Sequence, residues 1–84
     1  MSYNGHPTWN AWNVSLWISN DERLYAAAVD ACRRYKSSRV RAGAFYVATG
    51  LTVESKTPDG ARYSYSCVDH ALRNLDIAYE GRKS

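Results

Sequence analysis

Between Asp21 and Lys36 the apolar residues recur at a spacing that only a helix brings together. Leu24, Ala28, Ala31, Cys32 and Tyr35 stand at i, i+4, i+7, i+8 and i+11, one stripe on a 3.6-residue period. Asn20 or Asp21 is placed to cap this helix, and Glu22 lies near its positive end. Arg33, Arg34 and Lys36 close its last turn, where the dipole favours cations, and Asp30 and Arg34 form an i,i+4 pair on its outside. A stripe of this kind needs partners, and 84 residues leave room for one core. We find no internal repeat and no low-complexity stretch. The expectation is one globular domain over residues 8–80, after an irregular lead-in at 1–7 and before a tail at 81–84 that frays.

The rest of the chain supplies further elements less cleanly. Thr8 is placed to cap a helix from Trp9 to about Ser19. On it Trp9, Trp12 and Leu16 share one face, while Ala11, Val14 and Ile18 share the opposite one. The alternation Trp12, Val14, Leu16, Ile18 also suits a strand, so a helix is the reading and a strand stays open. Val40, Ala44, Val47 and Leu51 sketch a weaker third helix, with Gly50 near its C-terminal end. Gly43 and the run Phe45-Tyr46-Val47 leave strand open over 43–53 as well. Thr57-Pro58-Asp59-Gly60 is a strong turn signal, and a β-hairpin around residues 52–63 fits it. Ser64 or Ser66 then caps a last helix with the stripe Val68, Leu72, Leu75 and Tyr79. The fold class predicted is mainly α: a small domain of about four short helices. Three Trp, seven Tyr and one Phe offer large side chains, a few of which can furnish its core.

Charge and cysteines narrow the setting. No stretch has the roughly 18 apolar residues of a membrane span, and Met1–Pro7 has neither the basic nor the apolar region of a secretory signal. The expected location is therefore cytoplasmic, where Cys32 and Cys67 stay free and buried, although a bridge between them is conceivable in principle. The formal charge of +3 is unevenly spread: Arg33, Arg34, Lys36, Arg39 and Arg41 form a run that no acid interrupts. Its bland reading is a solvated helix end. Its functional reading is a patch for nucleic-acid phosphate or for an acidic protein surface.

Catalytic patterns are missing. Cys67 and His70 stand at i,i+3, but a zinc site needs about four ligands, and His6 lies in the lead-in. No phosphate-binding glycine loop and no carboxylate dyad is visible. No enzyme activity, no cofactor and no metal are expected. The segment from Thr8 to Ile18 packs three Trp into nine positions, more than a small core normally needs. Trp, Tyr and Arg dominate binding hot spots. The candidate partner-binding residues are therefore Arg33, Arg34, Lys36, Arg39 and Arg41, with Trp17 and Tyr46 as exposed aromatics.

The stretch Thr8-Trp9-Asn10-Ala11-Trp12-Asn13-Val14-Ser15-Leu16-Trp17-Ile18-Ser19-Asn20-Asp21-Glu22, followed by Leu24-Tyr25, resembles a pattern in small, mostly uncharacterised proteins of bacteriophages and mobile elements. In that family a T-W-N-V-x-L-W-I-x-N-D-E segment precedes a helix opening with Leu-Tyr. The turn Thr57-Pro58-Asp59-Gly60 before a terminal helix is similar to some members. The resemblance covers the first third of the chain plus that turn, and brings no active residues with it. It implies a small accessory protein working in a bacterial host cell. The resulting expectation is a non-enzymatic binder that inhibits a host defence complex by stoichiometric occlusion, with anti-CRISPR activity as one form. Its partner would be a host protein or ribonucleoprotein complex. The alternative is a small basic nucleic-acid-binding regulator, and surplus Trp and Tyr leave a homodimer seam open.

Overall fold

The computed structural model describes the backbone of residues 7–83 and the side chains of residues 7–75. Most of the expected lead-in, and Tyr79 as a side chain, thus lie outside the described residues. Four helices follow in order: α1 (Trp9–Asn20), α2 (Glu22–Arg34), α3 (Ser38–Thr49) and α4 (Tyr65–Lys83). α4 runs through to Lys83, so it takes in most of residues 81–84.

Each helix start has a local cause. The Thr8 hydroxyl accepts from the Ala11 N–H at 3.1 Å, and Asp21 Oδ1 accepts from Arg23 and Leu24 at 2.9 and 3.1 Å. Ser37 opens α3 by accepting from the Val40 N–H. Ser64, rather than Ser66, opens α4: its carbonyl accepts from Val68 and its hydroxyl from Cys67. Gly50 ends α3 with φ 78°, the left-handed conformation in which its N–H reaches the Tyr46 carbonyl.

α2 and α4 touch across the middle, and α1 and α3 each pack on both from opposite sides. The radius of gyration, 11.8 Å, matches the roughly 12 Å expected of a chain this long when close-packed. The core is small and mostly aliphatic. Val14 and Ile18, Ala28 and Ala31, Ala42 and Phe45, and Val68 and Leu72 are its contributions from the four helices in turn. Of the described aromatic side chains Phe45 and Tyr63 are buried in this core, and Tyr46 packs against it.

On α1, where the sequence left both apolar faces open, the buried one is Ala11, Val14 and Ile18, joined by Asn13, while Trp9 and Leu16 are exposed. Two expectations are corrected. On α3 the two valines of the anticipated stripe are turned outward: Val40 and Val47 are 47% and 84% exposed, Ala44 and Leu51 are half-buried, and Arg41, Ala42 and Phe45 face the core. The hairpin around 52–63 does not form. Ser55 N–H bonds back to Thr52, which folds the first arm into its own turn. That leaves a loop closed by one antiparallel bridge between Lys56 and Arg62, with no strand among the described residues. The loop still feeds the core, through Ala61 and Tyr63.

Candidate functional site

The joint between α2 and α3 carries the basic run. α2 ends at Arg34, Tyr35 caps it, and Ser37 opens α3, so Arg33 through Arg39 wrap one corner. Arg33, Lys36 and Arg39 are exposed and form no ion pair among the described residues. Arg34 is exposed but engaged: its Nε donates to Asp30 Oδ1 at 3.1 Å, and that carboxylate raises its pKa further above the ordinary guanidinium value. Arg41 is not on the surface. It is 8% exposed, and its Nε donates to the Tyr35 carbonyl at 2.8 Å, so it ties the end of α2 to the first turn of α3. The exposed Tyr35 ring, which sequence reasoning assigned to the core, lies within the corner instead.

The charge pattern at this corner is unusual in one respect. Cations at the end of α2 complement its dipole. Arg39 in the first turn of α3 does the reverse, for that turn holds no acid. The positive end of the helix and a guanidinium therefore add rather than cancel.

Trp17 and Tyr46 are half-buried and committed to internal bonds. Tyr46 donates its hydroxyl to the Tyr63 carbonyl at 2.6 Å, and burial raises the phenol pKa, helped by Cys67 and Tyr65. Trp17 Nε1 donates to Asp59 Oδ2 at 3.0 Å, and Asn13 Nδ2 donates to the same oxygen at 2.9 Å. Asn13 Oδ1 accepts from the Thr57 hydroxyl at 2.6 Å, and that hydroxyl oxygen accepts from the Ala61 N–H. The Thr57–Gly60 turn, closed by a Gly60 N–H to Thr57 carbonyl bond at 2.9 Å, is thereby pinned to α1. Gly60 has φ 98°, where a Cβ would be strained.

A second surface feature is a groove of about 390 Å³ between α1 and α4, with walls that include Trp12, Leu16, Ala71, Asn74 and Leu75. Among the described residues no charged side chain lines it. Ser15 also borders it, and its buried Oγ has no hydrogen-bond partner among the described residues. The only sequence clue was the Trp12–Leu16 face, which has no charge to mark it as surface.

Neither thiol is bridged. Cys67 is buried, and Cys32 is half-buried with its Sγ 3.4 Å from the Leu72 carbonyl. His70 lies partly buried beside Asn74. Among the described residues no three His, Cys, Asp or Glu side chains are grouped to hold a metal, and no helix is long and apolar enough to cross a membrane.

Fold and surface thus define a small four-helix domain with a positively charged corner and a groove between α1 and α4 whose described lining is uncharged. The chain belongs to the family of unknown function DUF7249, whose model matches residues 1–79. No curated protein matched the chain, and no solved structure did.

Proposed function

We propose that this chain is a non-enzymatic binding protein that docks on an acidic surface of a larger partner through the α2–α3 corner and acts by occlusion. One observation carries the reading: Arg33, Lys36 and Arg39, spaced three residues apart across the α2–α3 joint, are exposed with no carboxylate answering them among the described residues. Arg34, Arg62 and Arg73, by contrast, each have one, at 3.0 to 3.2 Å. Charges left unanswered on one corner steer an oppositely charged partner and fix its register. The likeness to small phage proteins supports a host complex in a bacterial cell as the partner in this reading, with defence inhibition, anti-CRISPR activity included, as the role.

The test is affinity capture from host lysate with the wild-type chain and with Arg33→Glu, Lys36→Glu and Arg39→Glu combined. A specific protein held by the first and lost by the second supports the proposal. Recovery of no specific protein sinks it. Binding to any DNA duplex that falls steeply as salt rises transfers the corner to the nucleic-acid reading.

A further inference from the structure

The outer face of α3 is the least explained surface of the molecule. After Arg41 the helix has no charged residue, and Val40, Gly43, Val47 and Ala48 are all exposed. A solvent-facing helix surface is ordinarily polar. Positions 40, 43 and 47 are i, i+3 and i+7, the spacing by which one helix lies along another, over about two turns or roughly 10 Å. Gly43 stands in the middle, and a Cβ built there meets nothing within 4 Å. With no side chain at its centre, the face leaves room for a backbone to lie close against it. At the N-terminal end of this face stands Arg39, one turn before Gly43, in the turn that lacks an acid.

We infer that this face is the second half of the docking surface, and that the partner presents to it an amphipathic helix whose aliphatic stripe covers Val40 and Val47 and whose acidic end overlies Lys36 and Arg39. The inference rests on the proposed role of the corner and specifies what meets it. Charge decides between occupants. A second copy of the chain brings no acid on its own α3, since Ser38–Thr49 has none. A nucleic acid answers the cations but has nothing to cover two exposed valines. An acidic amphipathic helix answers both.

The test uses the full chain, ¹⁵N-labelled, titrated with a synthetic amphipathic peptide bearing a Leu stripe and a Glu-rich end. Amide shifts are expected at Arg39, Val40, Gly43 and Val47. Val47→Gln should weaken binding roughly tenfold, as truncating an apolar anchor does. Exchanging the peptide's Glu for Lys should weaken it at least as much. Circular dichroism should be unchanged by Val47→Gln, because the side chain touches little. Shifts centred on Trp12, Leu16 and Leu75 would overturn the inference, as would equal binding by polyglutamate. Concentration-dependent shifts at Val47 without peptide would give the face to a second copy and overturn it too. If lysate capture is lost on reversing the three cations but survives Val47→Gln, the corner stands and this inference falls.

Discussion

Trp17 and Asp59, forty-two positions apart, meet through an indole N–H to carboxylate bond of 3.0 Å, and Asn13 reaches the same Oδ2 from one helical turn earlier. The Trp-rich segment and the Thr57–Gly60 turn, which read as two separate features in sequence, are thus the two halves of one contact. Trp17 holds a loop in place, and that loop delivers Ala61 and Tyr63 to the core. The indole is a structural anchor with its polar edge occupied.

Asn13 is the more critical of the two donors, because it is 1% exposed and bonded on both sides of its amide. Asn13→Ala leaves the buried Thr57 hydroxyl without its acceptor and removes one donor from Asp59. The expected cost is about 1–3 kcal/mol. In a domain this small each kcal/mol lowers the melting temperature by roughly 4–8 °C. Asp59→Asn keeps an acceptor and should cost less. A thermal melt of Asn13→Ala that overlays the wild type would show that the loop is held by something else.

The same contact makes stability depend on acid. The Asn13 hydrogen bond first, and the Trp17 bond second, lower the Asp59 pKa below its ordinary value, against a small opposing effect of desolvation. A carboxylate with a depressed folded-state pKa stabilises fully above its unfolded value and loses that contribution as pH falls through the folded one. The wild type should therefore lose stability below about pH 4 more steeply than Asp59→Asn, whose side chain does not titrate. Denaturant midpoints measured from neutral pH into the acid range, giving parallel curves for the two chains, would remove Asp59 from the account.

The helices were legible where local chemistry alone sets them. Thr8, Asp21 and Gly50 mark their ends in sequence as they do in space, and α2 has one clean apolar stripe. What the sequence could not settle was which way an ambiguous helix faces. α3 offers Val40 and Val47 on one side and Ala42 and Phe45 on the other, and periodicity weighs both alike. Packing against α2 and α4 chose the side with Phe45, leaving the valines outside. Arg41 was misread for a related reason: a cation in a basic run looks exposed until a carbonyl such as that of Tyr35 is found to need a donor. Tyr35 moved the other way, since the helix ends one residue before it.

The facing of α3 has a direct measure. Phe45 is fully buried and is the largest such side chain, so Phe45→Ala should cost about 3–5 kcal/mol. That is a large share of the roughly 5–15 kcal/mol available to a domain. Val47→Ala, at a position 84% exposed, should stay within about ±0.5 kcal/mol. Urea unfolding of both variants distinguishes the observed orientation from the one expected in sequence, which requires the opposite ranking.

Four cations of the basic run, leaving aside Arg34 in its pair with Asp30, should likewise divide into two behaviours. Arg41 satisfies the carbonyl at the end of α2 from a buried position, so Arg41→Ala should cost about 1.5–3 kcal/mol, the range for a hydrogen bond from a charged group. Arg41→Lys keeps the charge but not the planar fork that places Nε, and should recover only part of that. Arg33→Glu, Lys36→Glu and Arg39→Glu touch no internal partner among the described residues, and Arg39→Glu also puts an acid in the first turn of α3, where the dipole favours one. Arg33→Glu does the reverse in the last turn of α2, so the two helix-end effects oppose each other and this triple variant should melt close to the wild type while losing partner capture. Stability lost at Arg41 and binding lost at the other three would separate the strut from the contact surface. A triple variant that unfolds, or an Arg41→Ala chain that melts normally, would contradict that division.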